Sequence, residues 1–140
     1  MKRFMFTLMA AMVAVTSFAQ SQLVAALTHG DSVTMYYEAG AFKNAYNAAT
    51  SGDIITLSGG SFTGGFTITK AVTIRGTGID ASNPTKISSR MEFNIPASDT
   101  CRFSVEGVRF NSEFYLYGSS SNPYFLKCQF YRIYFYNFTS

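Results

Sequence analysis

Apolar and polar positions change period along this chain, and the change marks its elements. Phe42, Ala45, Tyr46 and Ala49 recur at i, i+3, i+4 and i+7, one face of a helix, while Lys43, Asn44 and Asn47 take the other. A helix this short does not persist in water alone, so the spacing predicts a helix that lies against something. Ser51-Gly52-Asp53 is expected to end it, with Gly52 in the left-handed conformation. Beyond that point the period falls to two. Ile54–Leu57, Phe66–Thr69 and Ala71–Ile74 read as strands, with Phe66, Ile68, Val72 and Ile74 inward and threonines outward. Met91, Phe93 and Ile95 alternate inward after an Asp80–Lys86 loop, as do Phe103, Val105, Val108 and Phe110 around a break at Glu106-Gly107. Upstream, Val33–Tyr37 reads as a first strand after the turn-prone cluster Thr28–Ser32.

The later strands repeat. Val108-Arg109-Phe110 aligns with Cys128-Gln129-Phe130 at an interval of twenty residues, and Phe114–Tyr117 aligns with Ile133–Tyr136 at nineteen. Gly118 then matches Asn137, and Ser119–Pro123 is the turn between the two copies. Ile54 and Ile74 are also twenty apart. Short strands at such an interval, without long helices between them, predict a β-solenoid whose successive coils stack in parallel about 4.8 Å apart. The glycine- and serine-rich corners differ from the two-residue turns of tight hairpins.

The stretch from Ala41 to Gly78 resembles the N-terminal cap and first coils of right-handed parallel β-helix proteins of the pectin-lyase-like superfamily. The likeness rests on Gly52-Asp53-Ile54-Ile55-Thr56-Leu57, Gly60-Ser61-Phe62 and Lys70-Ala71-Val72-Thr73-Ile74-Arg75-Gly76, and covers about a quarter of the chain closely. It implies an all-β, right-handed parallel β-helix of about four to five coils with a short N-terminal capping helix. It does not imply one activity, because that superfamily includes lyases, hydrolases, esterases, adhesins and phage tailspikes. The chain stops inside a strand pattern, Tyr134–Ser140, so the β-helix expected over residues 41–140 is incomplete.

Composition agrees with a β-rich protein: 16% aromatic, 14% charged and no tryptophan among 140 residues. Lys2 and Arg3, the apolar run Phe4–Val15 and the small residues Ser17 and Ala19 form the pattern of an export signal over residues 1–19, with cleavage expected after Ala19. Residues 20–40 would then be a lead-in with the first strand. Without Lys2 and Arg3, nine basic residues stand against eight acidic ones, scattered singly, which argues against nucleic acid as a partner. Contact with a membrane is expected only through the removed segment. Cys101 and Cys128 admit two readings in an exported protein, a disulfide or two small semi-buried thiols.

Catalytic chemistry on such a fold needs clustered carboxylates with an arginine, or a metal site. Asp31, Asp53, Asp80 and Asp99 are spread along the chain, and Glu92, Glu106 and Glu113 do not repeat at the coil interval. Asp53 reads as structural, and His29, the single histidine, as a solvated turn residue. No cofactor or metal is implied. One surface stands out. If Phe114, Leu116, Ile133 and Phe135 face inward, Tyr115, Tyr117, Tyr134 and Tyr136 face outward and form a tyrosine patch suited to sugar rings. The expected protein is an exported, non-catalytic β-helix module, secreted, periplasmic or on the cell surface, adhesive or glycan-binding. Its expected partners are a polysaccharide or cell-surface glycan, and an end-to-end contact through the uncapped last coil. The alternative is the N-terminal portion of a polysaccharide lyase, pectin esterase or glycoside hydrolase whose active coils lie beyond residue 140.

Overall fold

A computed structural model describes residues 22–118 and 123–137. The proposed export segment, most of the Ser119–Pro123 turn and residues 138–140 lie outside the described residues. The fold is a parallel β-solenoid, mostly strand, with one short helix near its N-terminal end. One wall stacks β3 (Ile54–Leu57), β6 (Thr73–Arg75), β9 (Ser104–Glu106) and β11 (Tyr124–Leu126), all parallel. The second wall holds β4 (Gly60–Phe62), β5 (Thr67–Ile68), β7 (Thr85–Ile87), β8 (Met91–Phe93), β10 (Val108–Tyr117) and β12 (Gln129–Tyr136). Here β10 pairs with β7 through its first half and β8 through its second, and with β12 along its length.

From β3 to β11 the chain makes about three turns, fewer than the four to five coils expected. The lead-in is not a coil. β1 (Val24–His29) and β2 (Ser32–Tyr37) form an antiparallel hairpin through Gly30, at φ 56°, and β1 runs antiparallel to β3. A period of two looks the same in parallel and antiparallel strands, so the pattern at Val33–Tyr37 could not distinguish them.

Intervals between stacked positions vary. Ile55 pairs with Ile74, nineteen residues on, so Ile54 opposes Thr73 and the twenty-residue match of Ile54 with Ile74 is off by one. The next step, Thr73 to Ser104, takes thirty-one residues because long corners are inserted, and Ser104 to Tyr124 takes twenty. The corner between β6 and β7 is drawn shut at its neck: Thr85 N–H donates to Thr77 Oγ1 (3.0 Å), Thr77 N–H to Thr85 Oγ1 (2.9 Å), and the buried Thr85 hydroxyl donates to Ser58 O (2.8 Å). Tighter corners need glycine. A Cβ at Gly76 would come within 2.5 Å of Gly107 O, and Gly107 itself sits at φ 67°.

The inward residues named from the pattern form the core. Ile68, Val72, Ile74, Met91, Phe93, Ile95, Phe103, Val105, Val108, Phe110, Phe114 and Leu116 are all buried, and Phe66 is partly buried against them. Phe93 stacks on Phe114 with centroids 4.3 Å apart, and Phe110 on Phe130 at 5.1 Å, so like residues of successive layers lie over one another. Ile133 and Phe135 keep the inward register opposite Phe114 and Leu116, yet belong to the outermost layer and stay 36% and 64% exposed.

At the other end, α1 (Ala41–Ala48) buries Ala41, Phe42, Ala45 and Tyr46. Phe42 meets Phe66 at 5.0 Å and Phe62 at 6.3 Å, and Tyr46 meets Phe66 at 5.0 Å. Lys70 closes the helix. Its Nζ donates to Ala49 O (2.7 Å), Tyr46 O (2.9 Å) and Asn47 O (3.3 Å), carbonyls at and just past the end of the helix. The helix stops at Ala48, with Ala49 extended, earlier than the Ser51–Asp53 cluster predicted; Gly52 does take φ 95° in the turn that follows.

Candidate functional site

The candidate surface grows from the pairing of β10 with β12. Tyr115 opposes Tyr134, and Tyr117 opposes Tyr136, as the nineteen-residue interval predicts. The change from twenty to nineteen has a physical counterpart. The register shifts between Phe110 and Glu113, so Asn111 and Ser112 occupy the space that Tyr131 alone takes in the next layer. Alternation then turns Phe114 and Leu116 inward and the tyrosines outward. Tyr115, Tyr117 and Tyr134 are half-buried and Tyr136 is 44% exposed.

The four rings form a ladder rather than a flat platform. Tyr115 lies 4.8 Å from Tyr134 and 5.7 Å from Tyr136, and Tyr117 lies 5.5 Å from Tyr136, with interplanar angles of 14–23°. Nearly parallel rings at the strand spacing turn their faces toward one another and their edges, with the hydroxyls, outward. The Arg90 guanidinium stands 3.9 Å from the Tyr115 centroid. The four tyrosines of the patch do converge, but their broad ring faces are largely used within the ladder.

Polar groups that sequence reasoning missed border this ladder. Glu92 is in register with Tyr115, and Glu113 with Arg132. Arg90 bonds Glu92 at 2.7 Å, and the Tyr115 hydroxyl donates to Glu113 at 2.9 Å, which, with partial desolvation, holds the Tyr115 phenol above its ordinary pKa. Arg132 donates to the Tyr134 hydroxyl at 3.4 Å. Along the same column, toward α1, a groove of about 290 Å³ is lined by Gly65, Phe66, Thr67, Arg90 and Glu92. The signal was in the chain, since Met91-Glu92-Phe93 is the partner of Phe114-Tyr115-Leu116, but the interval of twenty-three residues hid it.

The remaining carboxylates and thiols have other tasks. Asp53, buried, accepts from Thr50 N–H (2.8 Å) and lies 2.7 Å from His29 Nδ1. Burial pushes its pKa up, but the bonds from the Thr50 amide, His29 and the Thr50 hydroxyl outweigh it and hold the carboxyl below its usual range. His29 is thus a partner of Asp53 and, though largely exposed, the last residue of β1, which corrects its reading as a solvated turn residue. Asp99 accepts from Ser51 Oγ, Ala71 N–H (3.0 Å) and Cys101 N–H (3.1 Å); these bonds, Ser51's first, lower its pKa. Both aspartates tie neighbouring segments together. Cys101 and Cys128 are both free thiols, and burial pushes the Cys128 thiol up. Among the described residues, no three His, Cys, Asp or Glu side chains converge on a metal-sized site.

Fold and surface together define a class: a β-solenoid with an aromatic and charged lateral strip. No known family pattern, curated protein or solved structure matches this chain.

Proposed function

We propose that this chain is an exported, non-catalytic β-solenoid module that holds a glycan along its tyrosine ladder. The observation that supports this is the juxtaposition of Tyr115, Tyr117, Tyr134 and Tyr136 with Arg90, Glu92, Glu113 and Arg132 on one strip. Phenol hydroxyls, guanidinium forks and carboxylates arranged in layers offer donors and acceptors to sugar hydroxyls. The groove at Phe66 and Thr67 continues the strip, so an extended chain of sugars has a path parallel to the solenoid axis. Two arginines face two glutamates there, so recognition rests on hydrogen bonding rather than on net charge.

Affinity electrophoresis in gels that contain soluble neutral or acidic polysaccharides tests the reading. The protein should be retarded by at least one neutral polysaccharide, and the double change Tyr134→Ser and Tyr136→Ser should abolish the retardation, as should Arg90→Ala. Equal migration of all these proteins in every gel refutes glycan binding at this strip.

A further inference from the structure

On the second wall, ahead of the tyrosine strip, four outward residues stand in one column: Ser61 of β4, Lys86 of β7, Arg109 of β10 and Gln129 of β12. Lys86 opposes Arg109 directly, one strand spacing of about 4.8 Å away. Other charged residues in register are opposite in sign: Arg75 faces Glu106, and Glu113 faces Arg132. Lys86 and Arg109 are the one like-charged pair in register among the described residues, an arrangement that costs a sheet stability. Neither forms an ion pair with a carboxylate among those residues, and Asp80, in the corner before β7, is exposed and pairs with neither. The Arg109 guanidinium reaches that corner and donates to Ile79 O, while its Nε–H is buried and has no acceptor among the described residues. Ser88 is the next outward residue of β7. Its Oγ lies 2.6 Å from Ser61 Oγ, and two hydroxyls that share one hydrogen bond leave one O–H free. Ser61, Ser88 and Gln129 are exposed, and Lys86 and Arg109 half-buried.

We propose that this column binds a tetrahedral oxyanion, the sulfate or phosphate group of a monoester or the free ion. Two cations without carboxylates to neutralise them supply the charge. An anion held between them replaces their mutual repulsion with two attractions. The shape of the ligand follows from where the donors stand. Lys86 and Arg109 come from successive layers, the serine hydroxyls lie on the N-terminal side of Arg109, and the Gln129 amide lies one layer beyond it. Donors arriving from several layers suit the three free oxygens of a monoester. A flat carboxylate offers two oxygens in one plane, which a single guanidinium fork already satisfies. Turning the Arg109 guanidinium toward such a ligand gives up one bond, to Ile79 O, and releases a buried donor that the fold leaves unmet. The site is separate from the tyrosine ladder, because Arg109 and Tyr115 lie on opposite sides of the register shift in β10. The inference therefore does not rest on glycan binding there.

Two measurements on the full chain test this, both at constant ionic strength set with sodium chloride. In the first, sodium sulfate or sodium phosphate is titrated while backbone amide shifts are followed by two-dimensional NMR. In the second, the protein migrates in gels that contain dextran sulfate, dextran or neither. The expected result is saturable shifts at the amides of Ser61, Lys86, Ser88 and Arg109. The dissociation constant should rise about 10-fold or more in Lys86→Gln and in Arg109→Gln, since each removes a charge-assisted donor. Lys86→Gln leaves the Arg109 bond to Ile79 in place and decides the matter where Arg109→Gln fails to fold. Arg75→Gln and Lys127→Gln each remove an exposed cation elsewhere and should change nothing. The double change Tyr134→Ser and Tyr136→Ser should not weaken sulfate binding either, so failure here is read apart from failure of glycan binding at the ladder. Stronger retardation by dextran sulfate than by dextran, lost in Lys86→Gln, identifies a polymer-borne ester as the source. Lys86-dependent shifts with the free ions and no such retardation identify a small anion. An equal loss in Arg75→Gln or Lys127→Gln marks a response to net charge and overturns the inference, as does binding independent of Lys86, or none, in both measurements.

Discussion

Lys70 is the residue whose role can be put to a quantitative test. Its ammonium reaches back to α1 and donates to the carbonyls of Ala49, Tyr46 and Asn47, and it also lies 4.7 Å from the centre of the Tyr46 ring. Lys70→Met keeps most of the aliphatic stem and removes only the charge and its donors. At this partial exposure the two short bonds contribute about 1 kcal/mol each and the long one little. The positive charge at a helix C-terminus and over an aromatic face adds about 1 kcal/mol together. Water regains some of the freed carbonyls, so the expected loss is about 2–3 kcal/mol. For a domain of this size that lowers the melting temperature by about 8–12 °C. Thermal unfolding followed by far-ultraviolet circular dichroism measures it, with Lys43→Met as the control. Lys43 is exposed on the opposite face of the same helix, and its change should stay within about 0.5 kcal/mol. Equal melting temperatures for the two variants would refute the account of how the helix is held.

Further outcomes follow from the same end of the molecule and from the carboxylates of Asp53 and Asp99. Tyr46→Phe should cost about 1 kcal/mol, because the Thr69 amide loses the hydroxyl it donates to at 2.7 Å, whereas Tyr46→Asp places a carboxylate against Phe42 and Phe66 and should unfold or aggregate the protein; a soluble Tyr46→Asp variant with an unchanged β-signal would mean that α1 does not close the core. Asp53 and Asp99 both have folded pKa values below their unfolded ones, so their stabilisation is complete above the unfolded carboxylate pKa of about 3.9 and is lost as pH falls through the folded values. Urea midpoints should therefore drop below about pH 4, and less steeply in Asp99→Asn; parallel curves for the two proteins would remove Asp99 from the explanation.

Much of the fold was legible because apolar periodicity reports directly on burial. Phe42, Ala45, Tyr46 and Ala49 marked the helix face, and aligning Phe110 with Phe130 and Phe114 with Ile133 yielded true registers, bulge included. What escaped depends on distance along the chain. The Glu92–Tyr115–Tyr134 column and the His29–Asp53 contact join residues whose separation is set by how much chain each corner holds, and no local pattern encodes that. The tyrosine patch was legible as a set of residues but not as a ladder. Ring orientation follows from stacking between layers, and Arg90 takes part from the preceding layer, twenty-five residues before Tyr115.

The clasp between Thr77 and Thr85 has a consequence for how such a chain can change. Chain that leaves the wall at Thr77 and returns at Thr85 is reconnected by backbone–hydroxyl bonds at its base, and the Thr85 hydroxyl anchors that base to Ser58 in the preceding layer. Just beyond the clasp the chain still holds to the stack: Gly78 N–H donates to Gly107 O (3.0 Å), the Arg109 guanidinium to Ile79 O, and Gly60 N–H to Pro84 O (3.2 Å). The tip from 80 to 82 can therefore lengthen, shorten or be exchanged for an unrelated sequence while Ile74 stays under Val105 and Gly60 beside Thr85. One residue added inside β6 has the opposite effect, since it reverses which side chains enter the core. Length is a free variable at the corner, and parity is an invariant in the wall.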